Sequence, residues 1–417
     1  MSDAVWVWKI PVFRAFMIGQ TCAQLAAQIS FLAIPLVATI ALDATPGEMA
    51  LLTALGGVPS LVIGLHAGVM VDRYRRRRLM IAADVGRVLL LGVVPLAYLV
   101  DSLTLPLLAI VVVLAGILTL IFDVSYQALL ANILDRRNVV TGNSALELSR
   151  TAAEVTGPGI AGQLVQWFGA PLALVSNAAL YAVSALAIWR IDPARDHQPV
   201  RQSGHPSFRQ EIVEGFRAIW SIPPLRVTII GRGMLVASNA ALEVVFILYV
   251  VRVLHVGPAL LGLIFGVGGV GFLIGALVPR LIAGRIGFGV STAVATAVIA
   301  LSDLLVPFAE TKPAAVVPLL ILAQLLFGVG MTVFNVNQSS LRQLTIPTRI
   351  QGRASATARF IAEASVPIGA AIGGLLGETI GLRSTLVVAA AAELVVACWF
   401  LASPLRNLRS LPVPEEA

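Results

Sequence analysis

Long apolar runs, separated by short polar intervals, follow one another from end to end of this chain. Each is long enough for the roughly 20 residues that an α-helix needs to cross a bilayer. Twelve spans are predicted, over about 13–40, 48–71, 79–100, 104–130, 143–167, 170–190, 225–251, 259–283, 287–308, 314–343, 352–377 and 382–403. The fourth and tenth are over-long and are expected to run past the bilayer. Most intervals are so short that successive helices must be antiparallel neighbours. One is different: residues 191–224 are polar, yet Phe208, Ile212, Phe216 and Ile219 recur within them at helical spacing. That pattern predicts an amphipathic surface helix on the membrane face.

The apolar pattern also repeats on a larger scale. Ile10-Pro11-x-x-Arg14-x-x-x-Ile18-Gly19 returns as Ile222-Pro223-x-x-Arg226-x-x-x-Ile230-Gly231. Arg150-x-x-Ala153-Glu154-x-x-x-Pro158 returns as Arg359-x-x-Ala362-Glu363-x-x-x-Pro367, and Phe122-Asp123-Val124 as Phe334-Asn335-Val336. The fold class expected is therefore an all-α membrane protein of two pseudo-symmetric six-helix bundles. Residues 1–190 make the first bundle, 191–224 a cytosolic linker, 225–403 the second bundle and 404–417 a tail without regular structure. A duplicated bundle with a site between its halves is the usual plan of a secondary transporter.

Composition supports the membrane reading. The chain is 58% hydrophobic and 12% charged, against about 25% charged residues in a soluble domain. Its net charge of +7 could suggest nucleic acid, but placement argues otherwise. Arginines crowd the loops on one side, as in Arg75 to Arg78, Arg136 and Arg137, while the other side holds only Arg252, Lys312 and Arg383. This is a positive-inside pattern with both termini cytoplasmic. Cys22 and Cys398 both fall in apolar runs and read as buried small hydrophobes. His66, His197, His205 and His255 are scattered, and neither a metal cluster nor a phosphate-binding Gly-x-x-x-x-Gly-Lys-Ser/Thr loop is evident. No cofactor and no enzymatic activity are expected.

Glycines concentrate in the second, fifth, eighth and eleventh spans, with Gly64-x-x-x-Gly68 and Gly271-x-x-x-Gly275 at the spacing that lets backbones approach. The first cytosolic loop, Gly68-Val69-Met70-Val71-Asp72-Arg73-Tyr74-Arg75-Arg76-Arg77-Arg78, resembles the signature of the major facilitator superfamily, Gly-x-Leu-Ala-Asp-Arg-x-Gly-Arg-Lys. Gly68, Asp72, Arg73 and Arg76 match, Arg77 replaces Lys, and Arg75 stands where the family prefers Gly. The second half keeps a decayed copy with Pro279 in place of the acid. The resemblance implies a gating latch, with the loop arginines paired to an acid on the fourth helix, here Asp123. Gly157-Pro158-Gly159-Ile160-Ala161-Gly162 is similar to the fifth-helix motif of drug–proton antiporters, Gly-Pro-x-x-Gly-Gly. In that likeness Gly157, Pro158 and Gly162 imply export, as in exporters of the macrolide-efflux and enterobactin type.

Ionisable groups inside a span are functional candidates by default. Arg150 with Glu154, and Arg359 with Glu363, each share a helix face at a four-residue spacing. With Glu243 they are the proton-coupling candidates; the competing reading is a neutralised brace. In the superfamily the first, fourth, seventh and tenth helices line the cavity. That makes Gln20, Gln24, Gln28, Arg232, Asn239, Gln324 and Asn335 substrate-cavity candidates, with interhelical hydrogen bonding as the alternative. Asp84 and Arg87 read as a local pair. The expected activity is proton-coupled export of a small amphipathic compound (a drug, macrolide or siderophore-like molecule) by a monomer in a bacterial cytoplasmic membrane. Its partners are the small-molecule substrate, protons and the lipid bilayer, with no nucleic acid. An importer or facilitator of a nutrient or lysolipid, and a non-transport receptor or assembly factor, are the alternatives.

Overall fold

The computed structural model describes residue 8 and residues 10–62, 74–134, 138–193, 196, 208–309 and 313–408. Among them the regular structure is helical throughout. In chain order the α-helices are α1 (Pro11–Leu36), α2 (Pro46–Val62), α3 (Arg76–Leu99), α4 (Leu105–Ile133), α5 (Val139–Phe168), α6 (Ala170–Trp189) and α7 (Phe208–Ser221). There follow α8 (Pro223–Arg252), α9 (Pro258–Leu277), α10 (Pro279–Ile286), α11 (Phe288–Leu305), α12 (Pro313–Thr345), α13 (Thr348–Thr379) and α14 (Leu382–Ala402). Among the described residues ten helices are long and apolar enough to cross a membrane. Of the twelve predicted spans, the other two are α2, whose described part stops at Val62, and α5, which carries Glu147, Arg150 and Glu154.

Proline sets many of the helix starts. It occupies the first turn of α1, α4, α6, α8 and α10, where its fixed φ suits a helix and its missing N–H would have had no partner. The first helix of each bundle also ends alike. Past Pro35, α1 widens into a π-turn at Val37–Ala41. Leu42 and Ala44 donate to the carbonyls of Val37 and Ala38, and Leu254 and Val256 donate to those of Tyr249 and Val250 in the same register. Asp43 and His255 then take left-handed φ values of 49° and 54°. Gly169 and Gly381, at φ 80° and 84°, start α6 and α14. The repeat read in the side chains is thus repeated in the backbone.

The chain divides into two compact units. The first comprises Met1–Ala44, Val58–Gln202 and Gly257–Gly266, and the second Thr45–Gly57, Ser203–Val256 and Val267–Ala417. Each unit is built on the same packing scheme. In the first, α1 packs on α5 and α6, and α3 on α4 and α6; in the second, α8 packs on α13 and α14, and α11 on α12 and α14. Large apolar side chains such as Leu89, Leu96, Leu186 and Leu375 stay exposed on the helix surfaces, as a surface bathed in hydrocarbon requires.

Glycine governs the closest approaches. A Cβ on Gly373 of α13 would lie 2.6 Å from Ala241 Cα on α8. A Cβ on Gly162 of α5 would lie 2.8 Å from Gly262 Cα, in the part of α9 that belongs to the first unit. The start of α2, counted with the second unit, is closed by a reciprocal cap. Thr45 N–H donates to Glu48 Oε2 (2.8 Å) and Glu48 N–H to Thr45 Oγ1 (3.2 Å), while Gly47 N–H donates to Glu378 Oε1 of α13 (3.1 Å).

The core of the first unit contains a charge. Asp84 and Arg87 of α3, 0% and 2% exposed, are ion-paired. Ser184 of α6 donates to the other Asp84 oxygen at 2.6 Å. The guanidinium lies between two rings, 4.5 Å from the centroid of Phe122 and 4.1 Å from that of Tyr181, so both of its faces meet π-electrons.

Three expectations are revised. The predicted surface helix exists as α7, but Ile219 is buried in the core of the second unit, and Glu214 is paired with Arg353 of α13. Apolar spacing finds such a helix without saying whether lipid or protein covers it. The tail is ordered at its start: Pro404–Asn407 form a 3₁₀ turn, Leu405 is fully buried, and Leu408 O accepts from Gly289 N–H at 3.0 Å. Cys398 is exposed and Cys22 half-buried, because a side chain facing lipid need not be covered by protein.

Candidate functional site

In the first unit a cavity of about 510 Å³ opens between α1, α4 and α5. Gln20 and Gln24, one helical turn apart on α1, face Tyr126 and Gln127 of α4 and Asn143, Glu147 and Arg150 of α5. The walls are held by small polar contacts. Thr21 Oγ1 and Ser149 Oγ are 2.7 Å apart, and Gly157 leaves room for the Gln28 side chain to lie directly on α5. Gln20 Oε1 is buried without a hydrogen-bond partner, an acceptor left over for a donor that enters the cavity.

Arg150 is the hinge of the site's electrostatics. Its Nε lies 3.5 Å from Glu154 Oε1 and its Nη2 3.3 Å from Glu147 Oε1. One cation therefore serves two carboxylates, and the cluster has an acid to spare. Pro158, inside α5, has no N–H to give to the backbone carbonyl one turn earlier, which is that of Glu154. The proline thus frees a main-chain acceptor on the same turn as the Glu154 carboxylate.

The mirrored pair is not formed. No ion pair joins Arg359 to Glu363 among the described residues; Arg359 is exposed and Glu363 lies within electrostatic reach of Arg232. The reason is a substitution across the repeat. Arg232 occupies on α8 the place of Gln20 on α1, so a cation competes for Glu363 where a neutral amide stood in the first half. Arg232 also donates to Asn335 Oδ1 of α12 at 3.0 Å, and Arg342 lies within its electrostatic reach.

Other candidates fall into place around this. Asn239 is half-buried and Glu243 exposed on α8, and Glu243 has no ion pair among the described residues. Gln324 lies against Gly268 of α9, where an added Cβ would come within 3.1 Å of it. Asn337 and Gln338 are structural: Asn337 Nδ2 donates to Ser291 Oγ (3.1 Å) and Gln338 Nε2 to Thr228 O (2.9 Å).

Of the gating motif, Gly68, Asp72 and Arg73 lie outside the described residues, as do His66 and Gly64. Arg76 and Arg77 open α3. Arg77 N–H donates to Asp196 Oδ2 at 3.1 Å, and its guanidinium holds the Trp189 carbonyl. Asp196 of the linker thus caps the main chain at the start of α3, a contact that no sequence spacing indicated. Asp123 lies within electrostatic reach of Tyr181. Tyr126, Gln127 and Asn143 were also missed as cavity residues; the signal was there, since Tyr126 and Gln127 stand one turn beyond Phe122 and Asp123.

Comparison with known proteins follows the same lines. The chain is 27% identical over 356 residues to the multidrug efflux pump Tap of Mycolicibacterium fortuitum, covering 83% of each chain. It is 25% identical over 386 residues to the multidrug efflux pump Tap of Mycobacterium tuberculosis, covering 90% of this chain and 89% of that one. A crystal structure of the nucleoside transporter NupG superposes with a TM-score of 0.76 at 14% identity, covering 94% of this chain and 99% of the other. The family model of the Major Facilitator Superfamily matches residues 16–365, and with that match, the duplication and the twelve-helix plan, the protein belongs to the major facilitator superfamily.

Proposed function

We propose that this membrane transporter is a proton-coupled exporter of small amphipathic molecules, working by alternating access between the two bundles. The bundles are residues 1–190 and 225–403, and both termini face the cytoplasm of a bacterial cell. The observation that carries the reading is Arg150 shared between Glu147 and Glu154 at the edge of an amide-lined cavity. A carboxylate that must compete for one cation changes its protonation when that cation is diverted. Substrate entering beside Gln20 and Gln24 is well placed to divert it. The surplus acid favours a substrate with a positive or hydrogen-bond-donating group. The efflux activity named for the two relatives supports export as the direction. Glu363, beside Arg232, and Glu243 are the further proton-coupling candidates. The loop motif that includes Asp72 and Arg73 acts, on this reading, as the gating element, so Asp72→Asn slows turnover without changing substrate affinity.

The test is proton movement in energised inverted vesicles on adding a panel of macrolides, siderophores and cationic dyes, for wild type, Glu154→Gln and Glu363→Gln. Substrate-triggered proton release, reduced at least about tenfold in Glu154→Gln, is the expected result. Equal release from both variants and wild type would remove these acids from the coupling, and substrate flux without any proton movement would remove the coupling itself.

A further inference from the structure

Two acids stand apart from every site described above. Asp303 lies on α11 and Glu393 on α14, two helices that pack on each other. Asp303 is 5% exposed and Glu393 0%. Their carboxyl groups face one another. Both Glu393 oxygens and Asp303 Oδ2 are sealed from solvent and accept nothing from a backbone amide, a hydroxyl or a cationic side chain. The helices packed against them carry Arg226, Arg232, Glu243 and Arg252 (α8), Arg285 (α10), Arg342 (α12), and Arg353, Arg359, Glu363 and Glu378 (α13), and α14 itself carries Arg383. Among the described residues none of these, and no other titratable group, reaches the pair.

Two ionised carboxylates in contact, buried and without a cation beside them, are excluded by the cost of desolvating and juxtaposing like charges. One proton between them turns that repulsion into a hydrogen bond. A metal ion is a poorer occupant, because two carboxyls leave most of its coordination positions empty; no group of three or more ligating side chains that could hold one occurs among the described residues.

A pocket also comes close. It measures about 600 Å³ and lies at the end of the second unit opposite α7, lined by Tyr249, Phe308, Ala309, Gly381 and Arg383. Its rim at Phe308 is five residues from Asp303, roughly 7 Å along a helix axis. The last two residues of α11, Leu304 and Leu305, and the 3₁₀ turn Val306–Phe308 lie between them. Arg383 Nε donates to the Pro307 carbonyl at 2.7 Å and Tyr249 Oη donates to it at 3.4 Å, so the turn is fastened at the pocket's edge.

We propose that Asp303 and Glu393 form a proton-binding site, holding one exchangeable proton between them that is loaded from the pocket beside Phe308 and Arg383. The site is separate from Glu154, Glu363 and Glu243 and does not depend on the substrate or direction of transport. The step is a transfer of one proton from water to the dyad and back, with no change of redox state.

Infrared difference spectroscopy on the purified full chain in liposomes tests this without any transport assay. Wild type is expected to show a protonated-carboxyl band that shifts in heavy water and bleaches reversibly on alkaline titration. Glu393→Gln, which keeps the shape of a protonated acid, and Asp303→Asn should each lose the intensity of one carboxyl per chain. Should a variant fail to fold, isotope exchange of the wild-type band still decides the matter. A band that neither exchanges nor responds to pH would mean a locked structural hydrogen bond and overturn the proposal. Variant spectra identical to wild type in this region would do the same.

Discussion

Asp84–Arg87 and Asp303–Glu393 are two solutions to one problem, set on corresponding helix pairs of the two bundles. α3 packs on α6 as α11 packs on α14, and each helix pair buries an acid. Position by position the repeat puts Thr296 in the place of Asp84, Ile299 in that of Arg87 and Glu393 in that of Tyr181, while Asp303 stands two helical turns further on, in the place of Leu91. The first bundle neutralises its acid with a guanidinium held between two rings. The second has neither a cation nor that ring, and it answers one acid with another.

The comparison breaks most readily at Arg87. Arg87→Met removes the cation and leaves Asp84 buried and alone, so a loss of about 3–5 kcal/mol is expected, read as a lowered unfolding midpoint in detergent. Second in size, Asp84→Asn combined with Arg87→Met should recover most of that loss, to within about 2 kcal/mol of wild type, since the pair contributes little beyond mutual neutralisation. A double variant as unstable as the single one would show that the Arg87 stem and rings matter more than the charge. Glu393→Gln should then cost less than about 1 kcal/mol: the dyad already holds a proton, and an amide takes its place. A loss as large as that of Arg87→Met would show both acids to be ionised and would end the contrast. The smallest effect, about 0.5 kcal/mol, is expected for Tyr181→Phe, which keeps the ring over Arg87, with the same melting assay as the measure.

These contrasts mark the limit of what the chain alone discloses. Helix starts and stops were legible because proline, glycine and apolar periodicity act locally, and the repeat was legible because Ile10-Pro11 and Ile222-Pro223 lie in identical surroundings. Arg150 and Glu154 share one helix, so their pairing could be read from spacing. Arg359 and Glu363 have the same spacing but are not paired, because Arg232 on another helix competes for the acid. The sandwich of Arg87 between Phe122 and Tyr181 joins three helices, and no interval in the sequence reports such a meeting. Asp303 and Glu393 were visible only as two isolated acids on peripheral spans, with nothing to place one against the other.

The seat of α7 has a practical consequence for dissecting the molecule. Because Ile219 is part of the second unit's core and Glu214 holds Arg353, this helix is an organ of the C-terminal bundle, although it reads as a tether. A split-gene version, expressed as two polypeptides, should be severed at the unit boundary between Gln202 and Ser203. Severed instead at Ile222, the downstream fragment would begin its life with an open wound on α13.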